Sequence, residues 1–542
     1  MLVLHRIASI FLPSAALLLS ACGGGGGGSS SSSASSNRPT FVTSTPSAAV
    51  APDYTPGVFA EPSTLKDQCQ APRAGSSDVQ GSVTTENAWL RTWSNQTYLW
   101  YNEITDRNPA SYSDREAYFE TQKTFATTAS GAPKDQFHFT VPTDEYEQSV
   151  SAGASVGYGA YFKLIQTSVP REAVVAFVQP GSPADTAGIV RGMQIRAIDG
   201  AAISNGNAAV LNAGLFPSAA GEAHTFSVRA PGAAADSTIR LTADVVTEDP
   251  VLKTQVITTE GETPKTVGYA LFNTFGTASA EKALFDTFTD FKNQNVDELV
   301  LDLRYNGGGF LDIASQLGFM IAGRANTNGR TFETIRFNDK FPATNPVVGG
   351  PLTPTQFADQ GLDFSVAPGT PLPSLELDRV YILSSDDTCS ASEALINGLT
   401  GVDFDVVLIG GTTCGKPFGF YATDNCGLTY FTIQFVGVNE KSFGDYTDGF
   451  SPGSTPAGAT INGCAVGDDF SDTLGDENEA MLQTALTHIN TGACPPARLA
   501  AIGRGKKEAG VIRDPATSLY NEPRVRSRRL LKQSRLPRPR ND

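Results

Sequence analysis

Histidine is scarce in this chain, which has four among its 542 residues. A hydrolase that depends on histidine would need His138, His224 or His488 to reach its nucleophile. These three lie in separate parts of the sequence: a segment near the N-terminus, a β-rich region and a C-terminal helix. The scarcity disfavours histidine-dependent chemistry without removing it, and it directs attention to nucleophiles that use another base.

The chain also lacks net positive charge. Its 40 Lys and Arg residues against 56 Asp and Glu give a net charge of −16 and a pI near 4.8. An acidic surface repels the phosphate backbone, so nucleic acid is not expected as a partner of the main body. Residues 498–542 differ, with 13 Lys and Arg against 4 Asp and Glu. We expect this basic segment to be a disordered, solvated tail; the alternative is a contact with anionic lipid or nucleic acid.

No apolar run near the N-terminus is long enough to span a bilayer. Arg6 precedes an apolar stretch, residues 7–19, which is too short for a permanent membrane helix and is typical of a signal segment. Small residues then precede Cys22 and resemble the bacterial lipobox, in which the cysteine becomes lipidated. Residues 1–22 are therefore predicted to be a lipoprotein signal peptide with Cys22 as the lipidation site. An ordinary secretory signal is the alternative.

Glycine and serine dominate the segment after Cys22. Six glycines and a serine-rich run to Ser36 cannot bury enough apolar surface to fold, so residues 23–75 are predicted to be a flexible, disordered linker. A random coil of that length has a mean reach of roughly 40 Å. We therefore expect a lipid-anchored protein of the bacterial cell envelope, on the periplasmic face. Gly23, rather than Asp, favours the outer membrane by resemblance to sorted lipoproteins.

Six further cysteines follow Cys22, and their spacing matches no zinc-ligand pattern. An even number of cysteines in an exported protein predicts up to three disulfides, with the pairing left open by the sequence. No metal or cofactor is expected. The six are Cys69, Cys389, Cys414, Cys426, Cys464 and Cys494.

Composition and periodicity divide the rest of the chain into three parts. Residues 76–150 are predicted to form a small N-terminal helical region, because all three tryptophans lie there and Trp89 and Trp93 are four apart, as on one helix face. Residues 151–247 are rich in short apolar strands and glycine. Residues 248–497 alternate apolar strands with helices, which predicts an α/β fold with its sites at the carboxyl ends of strands.

The region 151–247 resembles the PDZ domains of secreted proteases. Ser182–Ala184 opens a short helix, and Gly192–Ile195 leads into a strand, with Met193 where Asp is usual. By that resemblance, the C-terminal end of a peptide adds as a strand to the sheet edge beside a glycine-rich loop. A PDZ-shaped domain that only packs against its neighbour is the alternative. The loop residues expected to bind the peptide are Gly157, Tyr158 and Gly159.

Two segments in the α/β part carry the candidate chemistry. Ser390 lies in a turn between an apolar strand and a helix, and Lys416 follows the next apolar strand. A serine hydroxyl is a weak nucleophile and needs a base. Lysine serves as that base when burial in apolar surroundings disfavours its charged form. Phe418 and Phe420 are predicted to supply the apolar pocket around the lysine.

Backbone N–H groups near Ser390 are the candidate oxyanion donors. Ser390 opens a helix, where N–H groups form the positive end of the helix dipole, so the Ala391 N–H is expected to help bind an oxyanion. A second donor is expected from the turn at Gly307 and Gly308, because glycine lets the backbone approach a substrate closely. Each motif alone also fits a plain helix start or turn.

Taken together, the motifs resemble the C-terminal processing peptidases, the tail-specific proteases of peptidase family S41. Residues 302–308 resemble the family's Asp-Leu-Arg-x-Asn-x-Gly strand-turn, Ser390–Glu393 its nucleophile motif and Gly415–Lys416 the motif of its general base. The resemblance covers residues 82–490 and includes the order of the helical region and the PDZ domain. It implies a multidomain α/β protein with a Ser/Lys protease core of the crotonase-like ββα type, in which Ser390 and Lys416 are catalytic.

Two departures from the family pattern leave an alternative open. The spacing from Ser390 to Lys416 is one residue longer than expected, and Phe420 stands where the family often has a glutamine that orients the lysine. The sequence therefore predicts a lipid-anchored serine endopeptidase that acts on proteins or peptides, with PDZ-assisted capture of their C-termini. The alternative is a non-catalytic peptide- or ligand-binding lipoprotein, because related non-catalytic proteins with this core bind apolar ligands.

Overall fold

The computed structural model describes residues 49–496, with gaps at 129–130, 261–262 and 454–457, and the backbone of Lys532–Gln533. The described residues fall in one compact unit. Among them, no helix is long and apolar enough to cross a membrane. The predicted signal peptide, its lipidation site and nearly all of the basic tail lie outside the described residues, so these predictions stay predictions.

The N-terminal region combines helices with short strands. Helix α1 begins after Ser82, whose hydroxyl accepts a hydrogen bond from the Thr85 N–H while the Thr85 hydroxyl accepts one from the Ser82 N–H. Trp89 and Trp93 stack at 5.0 Å and are nearly fully buried, as their spacing predicts. The elements are β1 (Gln68–Cys69), β2 (Val79–Gln80), α1 (Val83–Thr97), α2 (Arg115–Phe119), β3 (Phe139–Pro142) and α3 (Thr143–Ala152).

The segment 49–75 is mostly exposed but is anchored to the main body, so the prediction of a disordered linker is wrong for these residues; residues 23–48 of that linker lie outside the described residues. Cys69 is fully buried and forms a disulfide with Cys426, and Arg73 bonds to Asp424 of the same later segment. A cross-link over 357 positions ties the segment to the main body. Glycine and serine dominate the sequence only as far as Ser36. Among the later residues, Cys69 and Arg73 bind the main body and order the chain around them.

The next region is an antiparallel β domain with its own apolar cluster. Its main sheet has the order β10-β9-β7-β6-β5, which leaves β5 at an edge, and β4 pairs with β11. The elements are β4 (Ala154–Gly157), β5 (Ala160–Gln166), β6 (Glu172–Val178), α4 (Pro183–Thr186), β7 (Gln194–Ile198), β8 (Ala201–Ala202), α5 (Ala208–Leu215), β9 (Ala223–Arg229), β10 (Ser237–Thr242) and β11 (Asp244–Thr247).

The remaining region is the α/β core. Its first half consists of β12 (Val251–Thr258), β13 (Thr266–Phe272), α6 (Ser279–Asn293), β14 (Glu298–Asp302), β15 (Gly309–Phe310), α7 (Leu311–Thr327), β16 (Thr331–Arg336), β17 (Thr355–Gln356), β18 (Arg379–Ser384) and α8 (Ala391–Gly401). Its second half consists of β19 (Asp405–Gly410), β20 (Phe418–Gly419), β21 (Thr423–Asn425), β22 (Leu428–Phe431), β23 (Phe435–Val438), β24 (Ser451–Gly453), β25 (Thr460–Ala465), α9 (Ala480–Thr491) and β26 (Lys532–Gln533).

A seven-stranded sheet of order β12-β13-β14-β18-β19-β25-β24 organises this core. The neighbours from β13 to β25 are parallel, which confirms the predicted α/β class. Asp302 lies opposite Leu383, and Ser384 lies opposite Gly410, so β14, β18 and β19 end at the same edge. The three loops that follow these strands therefore meet at one place. The N-terminal region is less separate than predicted, since β3 pairs with β22.

Candidate active site

The turn that carries Ser390 is strained. Ser390 has φ 61° and ψ −111°, a positive-φ conformation that non-glycine residues rarely adopt. Holding such a residue costs roughly 1–3 kcal/mol and is typical of functional sites. The residue is fully buried, and its Oγ has no hydrogen-bond partner among the described residues. The hydroxyl is therefore not engaged in capping helix α8.

Hydrogen bonds hold the turn before α8 to the loop after β14. The Thr388 hydroxyl donates to the Leu303 carbonyl at 2.8 Å. The Asn306 carbonyl accepts from the Cys389 N–H and from the Ser392 hydroxyl, both at 3.0 Å. These bonds fix the residues on both sides of Ser390, which explains how the surrounding structure maintains the strained backbone.

The glycine turn lies directly against the candidate nucleophile. A Cβ added at Gly308, whose φ is 103°, would lie 2.7 Å from the Cβ of Ser390 and 2.8 Å from the backbone nitrogen of Ala391. The structure thus brings together Gly308 and Ala391, two of the predicted oxyanion donors, with Gly307 in the same turn. The Gly308 N–H donates to Asn306 Oδ1 at 2.9 Å in this conformation. That N–H must leave Asn306 before it can bind an oxyanion.

Lys416 is fully buried, and its Nζ lies near two aromatic rings. Its Nζ is 4.1 Å from the ring centroid of Phe420 and 5.0 Å from that of Phe137. The prediction that Phe418 and Phe420 form the apolar pocket is therefore corrected in part. Phe420 contributes to the pocket, whereas the Phe418 ring packs on Trp100 at 4.8 Å. The sequence could not identify Phe137, because it lies 279 positions before the lysine and carries no motif of its own.

Glu393 connects the serine turn with the lysine loop. Its carboxylate accepts hydrogen bonds from the backbone N–H groups of Ser390 at 2.9 Å, Gly415 at 2.8 Å and Lys416 at 2.8 Å. The Thr413 hydroxyl also donates to it. Burial raises the pKa of Glu393, and the hydrogen bonds oppose that effect. The sequence placed Glu393 in the Ser-Ala-Ser-Glu segment that resembles the nucleophile motif, but it assigned the glutamate no role of its own.

A disulfide joins the same two loops covalently. Cys389, the neighbour of Ser390, bonds to Cys414, two residues before Lys416, with their Cα atoms 5.2 Å apart. The other cysteines of the described residues pair as Cys69–Cys426 and Cys464–Cys494. The three disulfides agree with the upper number that the cysteine count predicts, and they resolve the pairing that the sequence leaves open.

Asp302 and Arg304, in the motif after β14, form a buried ionic network. The Arg304 guanidinium bonds to Asp302 at 2.9 Å and to Glu479 at 2.7 Å, and all three are fully buried. Burial raises the pKa of Asp302 against the opposing effect of Arg304. Breaking one partner of such a network leaves an unpaired buried charge, which costs about 3–5 kcal/mol. The pair therefore supports the loop that carries the glycine turn.

The antiparallel β domain contacts the loops of the candidate site. Lys163, on the edge strand β5, bonds to Asp386 at 2.6 Å and to Asp387 at 2.7 Å, in the turn just before Ser390. The Tyr161 hydroxyl also donates to Asp387. These contacts place one face of the β domain beside the serine turn.

The loop predicted to bind a peptide end is held against α4. Tyr158 is buried, and its hydroxyl donates to the Gly214 carbonyl at 3.0 Å. A Cβ at Gly159 would lie 2.3 Å from the Cβ of Ser182, so glycine is required there. The Tyr158 side chain is a core residue of the β domain, and the binding of a peptide end beside Gly157, Tyr158 and Gly159 stays a prediction. Gly157 belongs to β4 and pairs with Asp244.

The histidines considered as bases for Ser390 have other partners. His138 is buried and bonds to the Phe119 carbonyl and to the Thr432 hydroxyl. His224 lies against Asp199, and His488 bonds to the Tyr381 hydroxyl. These positions support the preference for a base other than histidine.

Two groups of described side chains have metal-ligand geometry. In the first, Cys389 and Cys414 stand beside Glu393, but their sulfurs are joined in the disulfide. In the second, Asp468 and Glu479 accompany Asp469, but both are paired with Arg304. In each group, atoms that could bind a metal are already engaged in a disulfide or in ion pairs.

A short strand of this chain lies beside the glycine turn. The backbone of β26 pairs in parallel with β15, with Lys532 opposite Gly309 and Gln533 opposite Phe310. The edge next to Gly308 therefore accepts an added strand.

Comparison with known proteins identifies the core. Residues 266–420, which include the glycine turn, Ser390 and Lys416, match the sequence profile of peptidase family S41. This segment of the chain is of the peptidase S41 family. The S41 core is embedded in a longer chain, because the matched part ends at Phe420 and begins after the β domain.

Curated relatives and a crystal structure extend the comparison. The chain is 30% identical over 243 residues to the carboxyl-terminal-processing protease of Picosynechococcus sp., covering 44% of this chain and 49% of the relative. It is 32% identical over 166 residues to the chloroplastic C-terminal processing peptidase of Tetradesmus obliquus, covering 29% and 35%. The chain thus spans less than half of each relative. A crystal structure from Bacteroides fragilis assigned to the S41 proteases shares the fold, with a TM-score of 0.54 at 24% identity over 74% of this chain and 96% of the other.

Proposed function

We propose that this S41 protein is a serine endopeptidase that uses Ser390 as nucleophile and Lys416 as general base. The observation that carries the proposal is the double connection between their loops: the Glu393 carboxylate binds the N–H groups of both residues, and the Cys389–Cys414 disulfide lies beside both. A pair that acts as a unit needs such fixed geometry, because small displacements of reacting groups cost large factors in rate.

The proposed reaction follows from the chemistry of the two side chains. Lys416, as a neutral amine, accepts the proton of the Ser390 hydroxyl while Oγ forms a bond to the scissile carbonyl carbon. The Ala391 N–H and a donor from the turn at Gly307 and Gly308 stabilise the oxyanion. The C–N bond breaks as the lysine returns the proton to the leaving amine. Water, deprotonated by the same lysine, then hydrolyses the acyl-enzyme ester.

Protein or peptide C-termini are the proposed substrates. Support comes from the names of the curated relatives, from the PDZ-like sequence pattern of the β domain and from the edge beside Gly308 at which a strand pairs. An extended peptide bound there by backbone hydrogen bonds would pass Ser390. The β domain would hold the free end of the same peptide.

Peptides with blocked ends test this capture. For a protein substrate with a free C-terminal carboxylate, amidation of that carboxylate is expected to raise KM with little change in kcat, because it removes binding remote from the reacting bond. Equal KM values for the free and amidated forms would contradict capture of the C-terminus while leaving the peptidase proposal intact.

The cell envelope is the proposed location, with lipid attachment at Cys22. The three disulfides support it, because disulfides persist in oxidising compartments. Mass spectrometry of the mature N-terminus of the membrane-extracted protein should find lipidated Cys22, and Cys22→Ser should release the protein from the membrane. An unmodified terminus at another residue would refute the anchor.

The second candidate is a non-catalytic binding protein on the same scaffold. It is favoured by the complete burial of Ser390 and by Phe420 at the position of the orienting glutamine. Turnover of a tagged, unfolded test protein separates the two. The peptidase proposal expects cleavage that Ser390→Ala and Lys416→Ala each remove almost completely, whereas the exposed control Lys441→Ala retains it. Binding of the test protein without any cleavage would favour the second candidate.

A further inference from the structure

Two phenylalanine rings lie close to the side-chain nitrogen of Lys416. The Nζ lies 4.1 Å from the ring centroid of Phe420 and 5.0 Å from that of Phe137. Both distances lie within the range of about 6 Å over which a ring face attracts a cation. The lysine and Phe420 are fully buried, and Phe137 is 7% exposed. The rings therefore act on the lysine in surroundings where solvent screens little.

Packing fixes the Phe420 ring, and a hydrogen bond fixes the backbone of Phe137, both independently of the lysine. The Phe420 ring meets those of Phe431 at 5.2 Å and Phe139 at 5.9 Å, edge to face. Phe137 is held through its backbone, since its N–H donates to Asp135 Oδ1 at 2.9 Å. The other oxygen of Asp135 accepts from the Tyr98 hydroxyl at 2.7 Å. The N-terminal region thus delivers one wall of the lysine pocket to the S41 core.

We propose that Phe137 and Phe420 are positioning residues for Lys416, whose ring faces hold the amine in place and stabilise its protonated form. The inference rests on the proposed Ser/Lys reaction and adds to it the groups that orient the base. It also gives the N-terminal region a role in the reaction, because Phe137 lies outside the 266–420 segment that matches the family.

The rings have two opposing effects on the lysine. By excluding water they favour the neutral amine, and by presenting the negative faces of their π systems they favour the ammonium. Other titratable groups lie on the surrounding elements. Glu393, on α8, accepts a hydrogen bond from the Lys416 backbone. Near Phe137, Asp135 accepts a hydrogen bond from the Tyr98 hydroxyl, and His138 is hydrogen-bonded to the Phe119 carbonyl. A change confined to the electrostatics of a ring leaves these groups where they are.

Fluorination isolates that electrostatic effect. Trifluorophenylalanine introduced at position 420 by amber suppression keeps the shape of the ring nearly constant but removes most of the negative potential of its face. The probe is the 13Cε resonance of Lys416 in protein with labelled lysine, assigned by its loss in Lys416→Met. The titration is followed in a Ser390→Ala background, so the readout does not depend on activity.

The titration midpoint of Lys416 is expected to fall by about 0.4 to 1.5 pH units, the size of a cation–π interaction at one ring. The midpoint falls because removing the negative potential of the ring face destabilises only the protonated form of Lys416. The same fluorinated residue at position 431, which packs on Phe420, is the control and should leave the midpoint unchanged. An unchanged or raised midpoint with the fluorinated ring at 420 would overturn the proposal.

Activity then separates this inference from the proposed function. In protein with Ser390 intact, the rising limb of the kcat/KM profile should move to lower pH by the same amount, because the neutral amine is the base. Phe137→Leu should lower the maximum value of kcat/KM and move the rising limb of its pH profile to lower pH as well. If the midpoint shifts in the Ser390→Ala protein but no variant cleaves any substrate, the proposed function fails and the ring–lysine contact stands. If cleavage is present and its limb does not move, the positioning role fails.

Discussion

At the scale of single residues, Glu393 has the most connections in the candidate site. Its carboxylate is an acceptor for three backbone N–H groups and one hydroxyl. Glu393→Gln places an amide donor among these donors, which leaves at least one of them unsatisfied at a cost of about 1–3 kcal/mol. We expect a lower Tm and a lower kcat with KM little changed. Calorimetry and steady-state kinetics measure both, with the exposed Glu477→Gln as control; unchanged kcat would contradict this account.

Gly308 gives a second test at the same scale. An alanine there must tolerate a φ of 103° and a Cβ 2.7 Å from that of Ser390, whereas Gly200 has a similar positive φ of 80° with open space around it. Gly200→Ala therefore measures the backbone strain alone. We expect Gly308→Ala to abolish cleavage and to lower the Tm further than Gly200→Ala does. Equal effects of the two substitutions would show that the close approach to Ser390 is unimportant.

The sequence identified the residues that carry motifs and missed those defined by packing. Ser390, Ala391, Gly308 and Lys416 follow strands whose apolar runs are visible, so their meeting at one edge was predictable. Their roles stay predictions. Phe137 could not be found, because its contact with the lysine depends on how the N-terminal region docks, and local periodicity carries no information on that.

At the scale of elements, the Cys389–Cys414 disulfide joins the turn before α8 to the loop after β19. It closes a loop with a sequence separation of 25, and Cys464–Cys494 closes one of 30, so chain entropy gives each about 3.5 kcal/mol of stability. Replacing either pair with serine should therefore lower the Tm by a similar amount. Only loss of the first pair should strongly lower kcat, because it alone of the two joins the candidate catalytic loops.

Enzyme assays on the two double variants, at a temperature where both remain folded, measure that difference. Equal losses of kcat in both would reduce the first disulfide to a general stabilising role.

The sequence predicted the elements of the core better than their partners. The apolar runs of β13, β14, β18 and β19 are visible in the sequence, because buried parallel strands are continuous and apolar. The pairing of β3 with β22 joins segments far apart in sequence, and no local pattern indicates it. The ordered segment before residue 75 was missed for the same reason, since its order depends on a disulfide to Cys426.

At the scale of the whole molecule, charged side chains join the β domain to the loops of the candidate site. Arg191 bonds to the Tyr305 hydroxyl at 2.7 Å, next to the glycine turn, and pairs with Asp468. Burial acts to raise the pKa of Asp468, but Arg304 and Arg191 outweigh it and lower the pKa. Lys163 pairs with Asp387 in the serine turn. The β domain therefore contacts both the serine turn and the loop that carries the glycine turn, and it is in direct contact with the candidate site.

The central claim is that Ser390 and Lys416 act as one catalytic unit. The most direct measurement is the rate at which a fluorophosphonate modifies the folded protein, followed by intact mass and peptide mapping. The account predicts a single adduct on Ser390, none in Ser390→Ala, and labelling of Lys416→Met slower by a factor of about 10²–10⁴, the usual contribution of a general base. An adduct elsewhere, or equal labelling rates for the wild-type and Lys416→Met proteins, would contradict it.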